Sequence, residues 1–356
     1  MNIRSLFLAS AALVSVGGAF AADLPAKQAA PAADAVRACP AYGSGFFTLP
    51  GSETCLKLGG YFRYIATYND PDSSHTTAQY AQSARFRLEV DARSNTEFGV
   101  LRGFSRMNDA SLSRAFVQLG AFTAGRYGNS SDISGTYGEN YSSLLSNSTE
   151  SIGIKYEAKL GPVNAFIALE NAFNNNASST VADRPDAVLG LSTKIDIVDF
   201  KLNAISHQVQ TATKSAEGYA VIGSARAKID AVGFALYGGI SKGALLYTWG
   251  GTSSANTSPP YKDSQANGTG LVDGTNIGAE LTYTMGPGTL ALAVGQITAE
   301  QSTGAKTTLN RYGAAYGYNI AKDLIIMPEL MITETDVKGS ASTYANIAYV
   351  TIKRSF

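Results

Sequence analysis

Residues 84–93 read ARFRLEVDAR. Arg85, Arg87, Glu89, Asp91 and Arg93 share one parity, and Ala84, Phe86, Leu88, Val90 and Ala92 share the other. A strand turns successive side chains to opposite faces, so this segment is a strand with one charged and one apolar side. The pattern recurs on both flanks. Leu58, Phe62, Tyr64 and Ala66 oppose Lys57, Tyr61 and Arg63, and Ala115, Val117 and Leu119 oppose Arg114 and Gln118. Further on, Ile152, Ile154, Tyr156 and Ala158 oppose Lys155, Glu157 and Lys159, while Ile277, Ala279, Leu281 and Tyr283 oppose Glu280, Thr282 and Thr284. Sixteen such segments can be placed: 56–68, 83–93, 97–105, 113–120, 122–127, 151–159, 163–170, 187–195, 198–207, 217–229, 232–241, 275–285, 288–298, 309–319, 323–334 and 342–356. No amphipathic helix lies between them to cover their apolar sides.

The connections alternate in length. Brief turns fall at Ser94–Thr96, Ala121, Gly161–Pro162, Asp196–Ile197, Asp230–Ala231, Met285–Gly288 and Ala321–Lys322. Longer connections fall at 69–82, 128–150, 171–186, 208–216, 242–274, 299–308 and 335–341, with a shorter one at 106–112. Tight turns at one rim and long loops at the other are the mark of a transmembrane barrel. Charge agrees: Lys plus Arg and Asp plus Glu are 28 each, and charged residues are 16% of the 356, against about a quarter in a soluble domain. An outside that meets lipid must be apolar, whereas the inside is free to be wet. Lipid offers no hydrogen-bond partner to an open sheet edge, so the strands must close into a ring. The expected fold is all-β, a 16-stranded transmembrane antiparallel β-barrel wide enough for an aqueous channel.

The chain opens MNIRSLFLASAALVSVGGAFA, one basic residue (Arg4) before an apolar stretch that ends in the small-x-small site Ala19-Phe20-Ala21. Residues 1–21 therefore read as a signal peptide, with a mature start at Ala22. No other segment approaches the roughly 18 continuous apolar residues of a spanning helix. Residues 22–55 form an N-terminal leader whose Ala- and Pro-rich part, to about Val36, is expected to be flexible. Cys39 and Cys55 follow as the only cysteines. In an oxidising compartment they can close a loop worth roughly 3 kcal/mol, the alternative being two unconnected thiols. The barrel occupies 56–356.

Arg63, Arg85, Arg87, Arg114 and Arg126 are placed on the polar face of the first five strands. Together they predict a basic, pore-lining wall that concentrates anions. The connection 128–150, GNSSDISGTYGENYSSLLSNSTE, sits where a third long loop belongs. Folded inwards as a constriction loop, it would set Asp132, Glu139 and Glu150 across from the arginines. Tyr137 and Tyr141 would line the opening, and Leu144 and Leu145 would pin the loop to the wall. An ordinary external loop is the alternative. The 242–274 connection, with Trp249, Pro259, Pro260 and Tyr261, is expected to be a long surface loop. Pro328 lacks a ladder donor and predicts a bulge or an undemanding neighbour. Outward tyrosines, among them Tyr64, Tyr68, Tyr156, Tyr283, Tyr312 and Tyr318, suit interfacial girdles. The terminal Phe356, on an alternating last strand, looks like the assembly signal of outer-membrane barrels.

Other function classes find little support. The two histidines, His75 and His207, lie in or beside long loops and read as solvated, without a nucleophile, base and orienting group around them. They make no zinc cluster, and no metal or cofactor is implied. No Gly-rich phosphate loop and no basic nucleic-acid-binding domain is present. A nonconducting structural or adhesive barrel shares the same periodicity and stands as the alternative.

The chain resembles the general-diffusion porins of alphaproteobacteria, the Brucella and Rhizobium type, over essentially its whole length. The resemblance is most specific in VRACPAYGSGFFTLPGSETCLKLGGYFRY, residues 36–64, where Cys39, Tyr42, Gly43, Phe47, Pro50, Gly51, Thr54, Cys55, Leu56, Gly60, Tyr61 and Arg63 match the family's opening. ARFRLEVDARSNTEFG looks like its second strand and turn. The resemblance implies a homotrimer of 16-stranded channels carrying small hydrophilic solutes and ions passively across the bacterial outer membrane, with the third loop folded inward. Its implied surroundings are outer-membrane lipid and lipopolysaccharide, and the barrel assembly machinery during insertion.

Overall fold

A computed structural model describes residues 36–49, 51–71, 79–133, 137–140, 150–171, 183–210, 215–249, 260–264 and 270–356. The signal peptide, the Ala- and Pro-rich part of the leader, His75, Tyr141, Leu144 and Leu145 lie outside these residues.

Sixteen antiparallel strands form the wall: β1 Cys55–Pro71, β2 Tyr80–Thr96, β3 Gly99–Asn108, β4 Ser111–Leu119, β5 Phe122–Gly128, β6 Glu150–Leu160, β7 Val163–Glu170 and β8 Asp186–Ile195. They continue as β9 Val198–Gln210, β10 Ser215–Ile229, β11 Val232–Lys242, β12 Asp273–Met285, β13 Gly288–Glu300, β14 Lys306–Ala321, β15 Leu324–Val337 and β16 Thr343–Ser355. Each strand pairs with its sequence neighbours, and β16 pairs back onto β1 with Ala348 opposite Tyr68 and Ser355 opposite Tyr61. The ring is closed, so no edge is left to lipid, where each unsatisfied backbone group would cost several kcal/mol.

The alternation has the expected sense. Leu58, Phe62, Leu189, Leu236, Ile277 and Val294 are exposed on the outside, where lipid would cover them. One rim is made of two-residue turns, and in four of the strand connections an aspartate, Asp109, Asp196, Asp230 or Asp323, takes a positive φ between 51° and 60°. Aspartate tolerates that left-handed region better than most side chains, because its short polar group bonds locally. The opposite rim carries the long connections, apart from the tight Asp109–Ala110 turn between β3 and β4.

Two local features follow from the sequence. At Pro328 the β14–β15 ladder keeps its register but has no pairs between Ala315–Glu329 and Tyr318–Ile326, so the residue that cannot donate is left out of that ladder, while it stays registered against Val350 of β16. At the other end of the chain, Cys39 and Cys55 form a disulfide. It ties a small hairpin, Arg37–Ala38 with Phe47–Thr48, onto the start of β1. Phe46 is buried at this mouth beneath the guanidinium of Arg93, 4.9 Å from its ring centre.

The interior departs from a uniformly wet lumen. Between β7 and β15, inner-face residues such as Val188, Ile205, Ile222, Ala291 and Met331 form a buried apolar cluster with Ile133, Tyr137, Ala244 and Tyr247 from the loops. The 242–274 connection is thus partly internal rather than a surface loop. Its Leu245 and Trp249 pack with Ile297 and Leu309 on the inner wall.

Candidate functional site: a lumen between an arginine arc and an inserted loop

Strands β1 to β4 carry the charges. Register places Arg63 opposite Arg85, Arg87 opposite Asn108, Arg93 opposite Arg102 and Arg106 opposite Arg114. Like charges directly opposite one another are destabilising, so each needs a local counter-group. Asp91 accepts from both Arg93 and Arg102, with closest approaches of 2.7 and 2.9 Å. Arg106 reaches Glu89 at 2.7 Å and Arg114 reaches Glu150 at 3.2 Å. Arg85 stands 3.7 Å from Asp109, and Arg87 donates to the amide oxygen of Asn108 at 2.8 Å. Aromatic faces support the same groups: Arg87 lies 4.7 Å over Tyr61, and Arg102 lies 5.1 Å over Phe104.

Arg63, Arg85, Arg87 and Arg114 therefore share one inner arc. Arg126 does not. It is registered against Ala115 and Ile152, on the face of Phe122 and Ala124, and so stands on the outer wall near the long-loop rim. There its guanidinium donates to the Leu112 carbonyl at 3.2 Å. An arginine facing lipid costs about 2–4 kcal/mol at the bilayer midplane but only about 0–1 near the interface, which makes the rim a tolerable place for it. Arg102 and Arg106 belong to the arc although sequence reasoning did not select them. Their strand, GVLRGFSRMN, pairs them with inward Phe104 against outward Gly103 and Ser105, so its alternation is blurred.

The third long loop enters the barrel. Along its path Ser130 N donates to Glu170 of β7 at 3.1 Å, Ser131 O accepts from Asn203 of β9 at 3.2 Å, and Ile133 O accepts from Arg226 of β10. Tyr137 N donates to both oxygens of Glu280 on β12, at 2.9 and 3.1 Å. Asn140 N donates to Glu329 of β15 at 2.9 Å, and its side-chain amide reaches Glu329 and, at 3.0 Å, Thr351 of β16. Glu139 then meets Arg63 at 3.1 Å and is also paired with Lys353. Burial raises the pKa of the Glu139 carboxyl, but Lys353 and Arg63 outweigh it and hold the group below the ordinary carboxylate value.

The described loop residues follow the inner wall from β7 round to β1, with Tyr137 in the buried cluster and Asp132 half-buried. Glu139 makes direct contact with the first arginine of the arc instead of facing it across open space. Glu89 and Asp91, a carboxylate pair on one strand face, are engaged by their arginines. His207 is fully buried against Asp186, at 2.9 Å, and is not the solvated loop histidine its position suggested. Along the arc six arginines keep side-chain exposures of 13 to 44%.

Comparison with known proteins agrees with this architecture. Porin Omp2b of Brucella suis is 43% identical over 146 residues, 35% of this chain and 39% of that protein. Porin Omp2b of Brucella abortus (strain 2308) is 42% identical over 131 residues, 36% of this chain and 35% of that protein. These matches span well under half the length of the curated relatives. Among solved structures, the outer membrane channel DcaP of Acinetobacter baumannii superposes with a TM-score of 0.71 at 14% identity, covering 87% of this chain and 99% of that one. OmpT of Vibrio cholerae gives 0.63 at 12% identity, covering 86% and 99%. The sequence profile of the porin subfamily matches residues 23–355, and the chain belongs to that family.

Proposed function

We propose that the protein is a passive diffusion channel for small hydrophilic solutes and ions across the bacterial outer membrane. The observation that carries this reading is the closed, outwardly apolar barrel whose lumen is lined on one arc by partly exposed arginines, with the third loop folded against its inner wall. Arg63, Arg85, Arg87 and Arg114 act as the basic wall of the path, with Asp132, Tyr137, Glu139 and Tyr141 on the constriction loop. A path lined by charge on one side favours polar solutes over apolar ones.

The accompanying assignments belong to the same reading. The mature chain starts at Ala22, Phe356 serves as the assembly signal read by the barrel assembly machinery, and three copies associate through outward apolar strand faces amid lipid and lipopolysaccharide. Support for the assembly role comes from Phe356 itself, whose ring clusters with Phe62 and Phe86 on the outer face, 5.7 and 6.5 Å away. Refolded protein in a planar bilayer tests the proposal. Stepwise currents in groups of three are expected, and membrane-inserted protein that passes no current would contradict it.

A further inference from the structure

We propose that Gly243–Trp249 is a second restriction inside the lumen, and that His207, set between Asp186 and Asp263, is the positioning residue that holds it against the wall. The inference rests on the channel reading and concerns pore size within it.

The segment is built into the barrel. Gly243 N donates to Val272 O at 2.8 Å, and Val272 N donates to Asp263 O at 3.0 Å, so the described parts of the connection fold on one another. The helical turn Leu246–Trp249 lies on the inner wall: Asn276 of β12 donates to Thr248 O at 2.9 Å, and the hydroxyls of Ser241 and Thr248 are 2.7 Å apart. Trp249 keeps 1% exposure. An external loop would leave that indole wet, at a loss on the order of 1.5–3 kcal/mol for a large apolar side chain.

The wall is shaped to receive it. A Cβ at Gly274 would lie 2.4 Å from both Ser241 Oγ and Thr248 Oγ1, and one at Gly218 would lie 2.3 Å from Gly243 O. Gly218 thus leaves room for the backbone of Gly243, and Gly274 for the side chains of Ser241, Leu245 and Thr248.

Apolar contact alone does not account for the charges beneath it. His207, Asp186 and Asp263 all have 0% exposure. Nδ1 of His207 is 2.9 and 3.0 Å from the two oxygens of Asp186 on β8, and Nε2 is 3.7 Å from Asp263 of the connection. Nε2 makes no hydrogen bond at that distance, but a neutral imidazole would turn a lone pair towards one of these two carboxylates, so we read the ring as the imidazolium. The Tyr247 hydroxyl donates to Asp186, and Leu245 N donates to Asp263 at 2.8 Å. Burial and Asp186 hold the Tyr247 hydroxyl well above its ordinary pKa, so it stays a donor. Glu170 of β7 is registered beside Asp186 and adds a third carboxylate, while β10 presents only Gly218 opposite His207. Removing the His207 charge takes away the cation shared by Asp186 of the wall and Asp263 of the loop, which weakens the tie between them.

The test is single-channel conductance together with the size limit for neutral sugars in liposome swelling. His207→Gln keeps the size and removes the charge, and should raise both. His207→Gln combined with Asp263→Asn leaves a neutral pair and should return both towards the wild-type values, a rescue that a purely structural role would not give. Gly274→Ala leaves the charges intact and crowds the turn off the wall, and should also raise both, so the idea stays testable if His207→Gln does not fold. Wild-type channels with unchanged conductance and size limit in the folded variants would overturn the second restriction alone. Wild-type protein without channels would overturn the diffusion reading beneath it.

Discussion

One carboxylate oxygen of Glu139 lies 3.1 Å from Nη1 of Arg63, joining the inserted loop to the first barrel strand across 76 positions of sequence. With Lys353 on the last strand, Arg63 makes a two-cation seat at the point where the ring closes. The loop is therefore held at Glu139 by charge, and the position of that point depends on it.

Acid should release this seat. Because the folded-state pKa of Glu139 is below its ordinary value of 4.5, the contact contributes fully above that value and is lost as pH falls through the depressed one. Conductance should be steady from neutral pH down to about the ordinary carboxylate range. Below it, conductance should change, and Glu139→Gln should abolish the step. A Glu139→Gln channel that keeps the full acid step would assign it to another group.

Glu280 and Glu329 accept backbone N–H groups of Tyr137 and Asn140. Truncating either to alanine strands a donor, at about 1–3 kcal/mol if water cannot replace the acceptor and less in a wet lumen. Noisier open-channel current and faster proteolytic cutting within 128–150 are expected from the double variant. Quiet channels with an uncut loop would show that these bonds do not hold it.

Charge reversal should separate the inner arc from the outer wall. Arg85→Glu with Arg87→Glu should move the reversal potential in a salt gradient towards cation preference, whereas Arg126→Glu should leave it in place. Equal shifts from both would mean that the assigned faces are wrong.

Cys39→Ser with Cys55→Ser opens the loop that holds the N-terminal hairpin. The chain-entropy estimate gives a loss of roughly 3 kcal/mol. It should appear as earlier proteolysis before residue 55 and a lower unfolding temperature, with the barrel still formed.

The strands were legible because lipid on one side and water on the other force a two-residue period onto every segment. All sixteen segments read from that period are strands, and every end agrees within three residues. Arg126 was misplaced by residue type: its parity is that of Phe122 and Ala124, and near the interface a charge no longer marks the wet face. An inward third loop with Glu139 towards the arginines is legible in the sequence; its direct contact with Arg63 and Lys353 is not, because strand period says nothing of which wall residues a loop side chain reaches. The His207 cluster was not visible at all, since Asp186, His207, Tyr247 and Asp263 come from two strands and a long connection with no shared period. Burial of that connection had one local hint, Trp249, the chain's only tryptophan, in a stretch otherwise rich in turn residues.

The central claim is that solutes pass along the arginine arc of β1–β4. Its most direct test is the current through Arg87→Cys channels before and after a bulky charged thiol reagent, with Arg126→Cys as the control; the two native cysteines are joined in the disulfide and do not compete. Stepwise loss of conductance in Arg87→Cys, with none in Arg126→Cys, is the predicted result. Undiminished current through fully modified Arg87→Cys channels would contradict the account.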